Sequence, residues 1–272
     1  MLMSLHFCLL LTLATAAYTA PDRRQAAQSP AGYGSAVSRA FEAAPAADTT
    51  DAERLHGIAL SLDAGGDFEM AESFYRRALT LEPGSVRILS GFGNFLFRLG
   101  RSEEASQMYT VAISADPESA LAHNGLAAVL AEAGRLEEAL EAAAEAVRLD
   151  PDQVDALTNL GMLMARLGDL DGAVPILRRA VELGYPLGNL ALALNLGLVE
   201  LQRGEYDEAI PLIGAVVVNN PGNADLRVLL ARAYLMKGDP VSAMAQLNVG
   251  LNAVPGHPGA LALIEEIEAA KK

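Results

Sequence analysis

The sequence predicts an all-α fold in which helical hairpins stack one after another into a solenoid. Glycines that would end a first helix recur every 34 residues, with one gap of 36. Two further markers recur with the unit: a small residue that opens a second helix keeps the same spacings, and a proline that closes the unit recurs every 34 or 35 residues. The extra two residues fall at 182–189, where two glycines and a proline predict a longer turn. A period near 34 residues is typical of two-helix repeats.

Residues 120–151 show the unit most clearly. Leu126 and Leu130 lie on one face of a first helix. Gly134 is expected to end that helix, because glycine enters the left-handed backbone region without steric cost. Pro151 closes the second helix, because proline has no N–H to donate. Two antiparallel helices joined by a short turn are therefore expected.

The repeated unit resembles the tetratricopeptide repeat over about residues 52–255. The residues that carry the resemblance are Leu89, Phe92, Gly93, Leu96, Ala105, Tyr109, Ala112 and Pro117. The chain departs from the family in having no tryptophan. The resemblance implies a right-handed α-solenoid of about six repeats over 51–257, closed by a capping helix over 258–272. It also implies a module that binds proteins.

Composition excludes several classes of partner. The formal net charge is −14 and the isoelectric point is near 4.7. Binding to nucleic acid requires clustered Lys and Arg, so a nucleic-acid partner is not expected. Attraction to an anionic membrane surface is excluded for the same reason. The one cysteine, Cys8, precludes an intramolecular disulfide.

The first 50 residues predict export. Residues 1–17 resemble a secretory signal peptide, because a short apolar run precedes small residues. Residues 18–50 predict a flexible linker of Ala, Pro, Ser and Gly. We therefore expect a periplasmic or secreted protein. No Lys or Arg precedes the apolar run, so an uncleaved inner-membrane anchor is the alternative. Thr50 is expected to cap the first helix, with Glu53 completing a capping box.

No residue pattern predicts catalysis, a metal, a cofactor or a small-molecule substrate. The four histidines show no recurring ligand spacing, and no nucleophile or phosphate-loop motif occurs. Pairs of glutamates, such as Glu137 with Glu138, recur at one site of the repeat. Negative charge is favourable in the first turn of a helix, which explains these pairs without catalysis.

The resemblance implies that the first helices line a concave groove that holds a peptide or helix of a partner. The candidate groove residues are Asn94, Phe97, Asn124, Asn159, Met162, Leu194, Asn195, Leu198, Leu201, Val228, Arg232, Leu235 and Met236. Asparagine amides both donate and accept hydrogen bonds, so a row of them suits an extended peptide backbone. The apolar residues from Leu194 onward predict an exposed interaction surface. The alternative is that some of these leucines are buried in helix packing.

These features predict a non-catalytic scaffold of the cell envelope that binds a protein partner. The combination of a signal peptide, a linker and a short array of repeats also resembles envelope assembly factors, including the tight-adherence pilus assembly protein. Two alternatives remain: a cytoplasmic adaptor that regulates an enzyme, and a self-assembling module. In the self-assembling module, the apolar end of the groove would take the N-terminal segment of another copy.

Overall fold

A computed structural model describes residues 51–184 and 188–270. Within these ranges it contains thirteen helices and no strand. The helices are α1 Ala52–Ala64, α2 Phe68–Leu81, α3 Val86–Arg98, α4 Ser102–Ala115, α5 Ala120–Glu132, α6 Leu136–Leu149, α7 Val154–Arg166, α8 Leu170–Gly184, α9 Leu190–Arg203, α10 Tyr206–Asn219, α11 Ala224–Lys237, α12 Pro240–Ala253 and α13 Pro258–Ala269. The predicted leader, the linker and the centre of the predicted long turn lie outside the described residues. The all-α prediction is confirmed.

The helices pack as consecutive hairpins within two compact units, whose described residues are 51–159 for the first and 160–184 with 188–270 for the second. In the first unit, α1 packs on α2, α3 on α4, and α5 on α6. The first helices of neighbouring hairpins, α1 with α3 and α3 with α5, also touch. In the second unit, α9 packs on α10 and α11 on α12, while α13 contacts both α11 and α12. The handedness of the array stays a prediction.

The turn glycines have the backbone conformation that the sequence predicts. Gly134 has a φ of 78°, a region that disfavours residues with a Cβ. A Cβ added there would meet nothing within 4 Å, so the backbone angle, and not crowding, requires the glycine. The N–H of Arg135 donates to the carbonyl of Leu130 at 2.9 Å and closes the helix end. The equivalent glycines with positive φ are Gly66, Gly100, Gly168, Gly204 and Gly238.

The start of α1 corrects the predicted capping box. Asp51 is the N-cap, and its Oδ1 accepts a hydrogen bond from the N–H of Glu53 at 3.0 Å. An aspartate carboxylate satisfies a free N–H of the first turn and its charge complements the helix dipole. The helix therefore starts one residue later than a Thr50 cap would place it.

Aromatic rings fill the core of the first hairpins. Tyr75 stacks on Phe92 with ring centroids 5.2 Å apart, and Phe95 lies 5.3 Å from Tyr75. All three rings are buried. Large rings bury more apolar surface than aliphatic side chains and stabilise the hairpin accordingly. The aromatic core of these repeats therefore forms without tryptophan.

No helix in the described ranges is both long enough and apolar enough to cross a membrane.

Candidate functional site

Two asparagines of neighbouring first helices are joined by a hydrogen bond. The Nδ2 of Asn159 on α7 donates to the Oδ1 of Asn124 on α5 at 2.8 Å. Both side chains are half-buried. Within the described residues, the Nδ2 of Asn124 and the Oδ1 of Asn159 make no hydrogen bond. The Nδ2 group of Asn124 can therefore still donate a hydrogen bond, and the Oδ1 of Asn159 can still accept one.

Asn94 lies on α3, the preceding first helix, and is fixed by a different partner. Its Oδ1 accepts a hydrogen bond from the hydroxyl of Tyr109 at 2.6 Å. The side chain is exposed, and no hydrogen bond of the described residues joins it to the Asn124–Asn159 pair. The structure therefore brings together two of the four predicted amides, Asn124 and Asn159, and leaves Asn94 separate from them. Phe97, also on α3, is half-buried and packs against the aromatic core.

The ring of Tyr109 packs against two first helices at positions occupied by glycine, Gly93 and Gly125. A Cβ on Gly93 would lie 2.8 Å from the ring Cζ, and a Cβ on Gly125 would lie 2.2 Å from Cε1. The ring, from α4, therefore packs against the backbones of α3 and α5. Burial raises the pKa of the Tyr109 hydroxyl, so it stays protonated and donates to Asn94.

The predicted apolar surface on α9 is not exposed. Leu194, Leu198 and Leu201 are at most 2% exposed, and Asn195 is 5% exposed. The physical reason is the helix sequence LALALNLGLVE, in which apolar residues occur on every face and only Asn195 and Glu200 are polar. Such a helix is buried on every side, whereas an amphipathic one leaves a face open. The prediction that Leu194, Leu198 and Leu201 form an exposed apolar surface is therefore wrong.

The remaining candidates of the second unit differ in exposure. Val228 and Leu235 on α11 are half-buried and pack in one cluster with residues of α13. Met162 packs against the cluster of α7, α8 and α9. Arg232 is half-buried, whereas Met236 is 42% exposed. Most of this apolar stretch therefore contributes to the core.

Two polar residues of the first unit are buried without a hydrogen-bond partner. His56 on α1 and Ser90 on α3 occupy equivalent repeat positions and are 5% and 0% exposed. His56 Nε2 and Ser90 Oγ have no hydrogen-bond partner. Burial lowers the pKa of the His56 imidazole, which therefore stays neutral. The two residues lie one repeat apart in the sequence, which indicates that they share a helix face.

Ion pairs also link α1 and α3. Arg87 Nε donates to Glu53 at 3.2 Å, and Arg98 pairs with Asp63. These pairs are partly exposed, and such ion pairs contribute little to the free energy of unfolding. The described residues contain no group of three or more His, Cys, Asp or Glu side chains that could hold a metal ion.

Sequence models of one family match most of the described chain. A tetratricopeptide repeat model matches residues 56–120, 91–154 and 130–185, and a second tetratricopeptide repeat model matches 200–267. No curated protein sequence matches the chain.

Solved structures share the fold. YrrB, described as a tetratricopeptide repeat protein with an unusual peptide-binding site, is 25% identical with a TM-score of 0.61, over 70% of this chain and 97% of YrrB. The pilF protein of Pseudomonas aeruginosa is 20% identical with a TM-score of 0.68, over 79% of this chain and 97% of its own. A thermophilic tetratricopeptide repeat protein of Thermus thermophilus is 24% identical with a TM-score of 0.55, over 68% of this chain and 99% of its own.

The paired helices, the turn glycines with positive φ and the matching sequence models agree on one family. The fold of that family suggests a scaffold for protein–protein interaction. This chain belongs to the tetratricopeptide repeat family.

Proposed function

We propose that this protein is a non-catalytic scaffold of the cell envelope that binds an extended peptide segment of a protein partner. The binding surface is the first-helix face of the first unit, around Asn124 and Asn159. The observation that carries the proposal is the hydrogen bond between these two amides.

An extended peptide presents a backbone N–H and a backbone C=O with each residue. The free Nδ2 of Asn124 suits a peptide carbonyl, and the free Oδ1 of Asn159 suits a peptide N–H. Because the two amides bond to each other, they are held before the partner arrives, which reduces the entropy lost on binding. Recognition through the peptide backbone leaves the partner's side chains unrestricted by this pair.

A similar protein supports peptide binding as the role. YrrB has a peptide-binding site according to its description, and it covers 70% of this chain. The present candidate surface is defined by the residues of this chain alone. Asn94 and Phe97 lie on the next first helix and would extend the surface along the same side of successive repeats.

Affinity capture with matched variants tests the site. The wild-type protein, produced at native level in its own cells, should capture a protein partner. Replacing both Asn124 and Asn159 with alanine should reduce that capture at least about 10-fold, because two backbone hydrogen bonds are lost. Gln107→Ala removes an exposed amide from the outer face of α4 and is the control. Equal capture by wild type and the double variant would place the binding surface elsewhere.

Export rests on the sequence organisation of the first 50 residues. We propose a periplasmic location, with the inner-membrane anchor as the alternative form. Fractionation and mass spectrometry of the N-terminus separate the two, since an exported and cleaved chain would begin near Ala17. An intact Met1 in the cytosol would favour the cytoplasmic adaptor and remove the envelope proposal.

A role in assembling a pilus or secretion complex is the narrowest form of the proposal. Its support is the resemblance of the leader, linker and short array to envelope assembly factors. The capture experiment tests it through the identity of the partner. Pilus or secretion components among the captured proteins are expected, and captured cytosolic enzymes would exclude this role.

A further inference from the structure

Tyr75 and Tyr109 occupy the same position of two successive second helices, but their hydroxyl groups have different surroundings. The hydroxyl of Tyr109 on α4 donates to the Oδ1 of Asn94 on α3 at 2.6 Å. The hydroxyl of Tyr75 on α2 is buried and has no hydrogen-bond partner among the described residues. The residue of α1 that corresponds to Asn94 is Leu60, whose side chain has no acceptor. The tyrosine hydroxyl is therefore paired where the first helix carries an asparagine and unpaired where it carries a leucine.

The later hairpins lack this pair of residues. The second-helix position of Tyr109 is occupied there, within the described ranges, by Ala143, Leu177, Ile213 and Leu247. None of these side chains can donate a hydrogen bond to a first helix. Among the described hairpins, α3 with α4 is therefore the one in which a buried tyrosine orients a first-helix amide.

Burial of the tyrosine decides which atom of the Asn94 amide faces it. Tyr109 is 1% exposed, and the Oδ1 of Asn94 is the one acceptor that its hydroxyl reaches among the described residues. A buried O–H group without an acceptor costs free energy. The amide oxygen must therefore face the hydroxyl, because the amide Nδ2 cannot accept its proton. The exposed Asn94 is left with a free Nδ2, which only donates.

The ring of Tyr109 relates this amide to the Asn124–Asn159 pair. A Cβ on Gly93 or on Gly125 would overlap the ring, so the ring packs directly against the backbones of α3 and α5. In the sequence, Gly93 directly precedes Asn94 and Gly125 directly follows Asn124. Close packing of one ring against both backbones keeps its hydroxyl at a defined place relative to both helices.

We propose that Asn94 is a fixed hydrogen-bond donor of the peptide site and that Tyr109 is the residue that positions it. The Nδ2 of Asn94 donates to a backbone carbonyl of the bound peptide. This role rests on the proposed function, because the peptide is the one that Asn124 and Asn159 bind. Asn94 also adds specificity, since a peptide N–H placed against a second donor would lose its hydration without forming a hydrogen bond.

A peptide selected by the protein itself tests this role on the full chain. The probe is a short peptide that the wild type selects from a library of random sequences, with its dissociation constant measured by fluorescence anisotropy. Asn94→Ala should weaken binding about 10-fold. Tyr109→Phe should weaken it about 5-fold, because phenylalanine keeps the ring packing but no longer orients the amide. In the Asn94→Ala background, Tyr109→Phe should cause no further loss, because the amide that it positions is already absent.

Tyr75→Phe is the matched control. It removes a hydroxyl from the equivalent position of the preceding hairpin, where that group has no hydrogen-bond partner among the described residues. This variant should bind the peptide like the wild type, and circular dichroism should show unchanged helicity in all variants. Equal weakening by Tyr75→Phe and Tyr109→Phe would overturn the positioning role, because it would show an effect of packing alone.

Alanine replacements along the peptide identify the acceptor. Alanine keeps its backbone carbonyl, so every substituted peptide should still lose about 10-fold in affinity when Asn94 is replaced by alanine. A peptide position at which alanine abolishes this loss would show that a side chain is the acceptor, and it would overturn the backbone assignment.

The double alanine variant of Asn124 and Asn159 separates this role from the proposed function. If that variant binds weakly while Asn94→Ala and Tyr109→Phe bind like the wild type, the role of Asn94 and Tyr109 is overturned and the proposed function stands. If the double variant binds like the wild type while the other two are weakened, the Asn124–Asn159 site fails and Asn94 remains a donor. A library that yields no binding peptide would overturn both.

Discussion

The ring of Tyr109 lies against Gly125 so closely that a Cβ on that glycine would be 2.2 Å from the ring Cε1. The two residues belong to α4 and α5, in successive hairpins. A Cβ on Gly93 of α3 would also overlap this ring, at 2.8 Å from Cζ. The contact therefore sets how near the backbones of two hairpins approach each other.

Gly125→Ala should destabilise the protein by about 2 kcal/mol, because the added Cβ would overlap the buried ring of Tyr109 and force a shift in packing. Urea unfolding followed by circular dichroism measures the loss. Gly57→Ala is the control, since a Cβ there meets nothing within 4 Å and alanine favours a helix interior by about 0.5–1 kcal/mol. Equal behaviour of the two variants would contradict the role of the Tyr109 contact.

Glu200→Ala should lower the free energy of unfolding by about 1–2 kcal/mol. Glu200 is 1% exposed and accepts a hydrogen bond from Arg203, on the same helix, at 2.6 Å. It also accepts one from Arg178 at 3.4 Å, which joins α9 to α8. Asp171→Ala removes an exposed partner of the same Arg203 and should cost less than about 0.5 kcal/mol. Denaturant unfolding of both variants compares them, and equal losses would show that burial of Glu200 adds nothing.

His56 should lower the free energy of unfolding as the pH drops below about 6.5, the pKa of histidine in an unfolded chain. Burial lowers the pKa of His56 in the folded chain. Between the folded and unfolded pKa values the unfolded chain binds the proton and the folded chain does not, so acid favours unfolding. Thermal unfolding of His56→Gln should show a weaker decrease in Tm from about pH 7.5 to about 5.5 than the wild type, as that range spans the unfolded pKa.

The control for this pH effect is Gln107→Ala, which replaces an exposed side chain that does not titrate. This variant should keep the wild-type dependence of Tm on pH. A His56→Gln variant with an unchanged dependence would mean that burial of His56 does not link folding to protons.

Asp239→Ala should lower Tm at neutral pH, with a difference that disappears in acid. Asp239 is the N-cap of α12, and its Oδ1 accepts a hydrogen bond from the N–H of Ser242 at 3.0 Å. Hydrogen bonds from Ser242 lower the pKa of Asp239. Its contribution is therefore present above the unfolded pKa of about 3.9 and is lost as the pH falls through the lower folded value.

Asp239→Asn separates the cap from its charge. Asparagine also caps helices, and its amide oxygen keeps the bond to the N–H of Ser242 at every pH. Its Tm relative to wild type should therefore rise as the pH falls below about 4. A gap between Asp239→Ala and wild type that persists in strong acid would contradict the assigned pKa effect.

The sequence by itself determined the hairpin period and the residues that end the helices. The helix ends at Gly134 and its equivalents were predictable from local backbone chemistry alone, because a positive φ favours glycine whatever packs around it. The pairing of first and second helices followed from the same period. The period also placed Asn124 and Asn159 on successive first helices, but they lie 35 residues apart, one residue off the repeat register, and their hydrogen bond was not predicted.

Only the tertiary structure decided which of the candidate residues are open to a partner. Leu194, Leu198 and Leu201 have the spacing of a groove surface, yet they are buried. The repeat period assigns a residue to a face of its helix, but exposure depends on what packs there, and α9 carries apolar residues on every face. The glycines that receive Tyr109 depend on tertiary contacts in the same way, because their need for space arises from a ring on another helix.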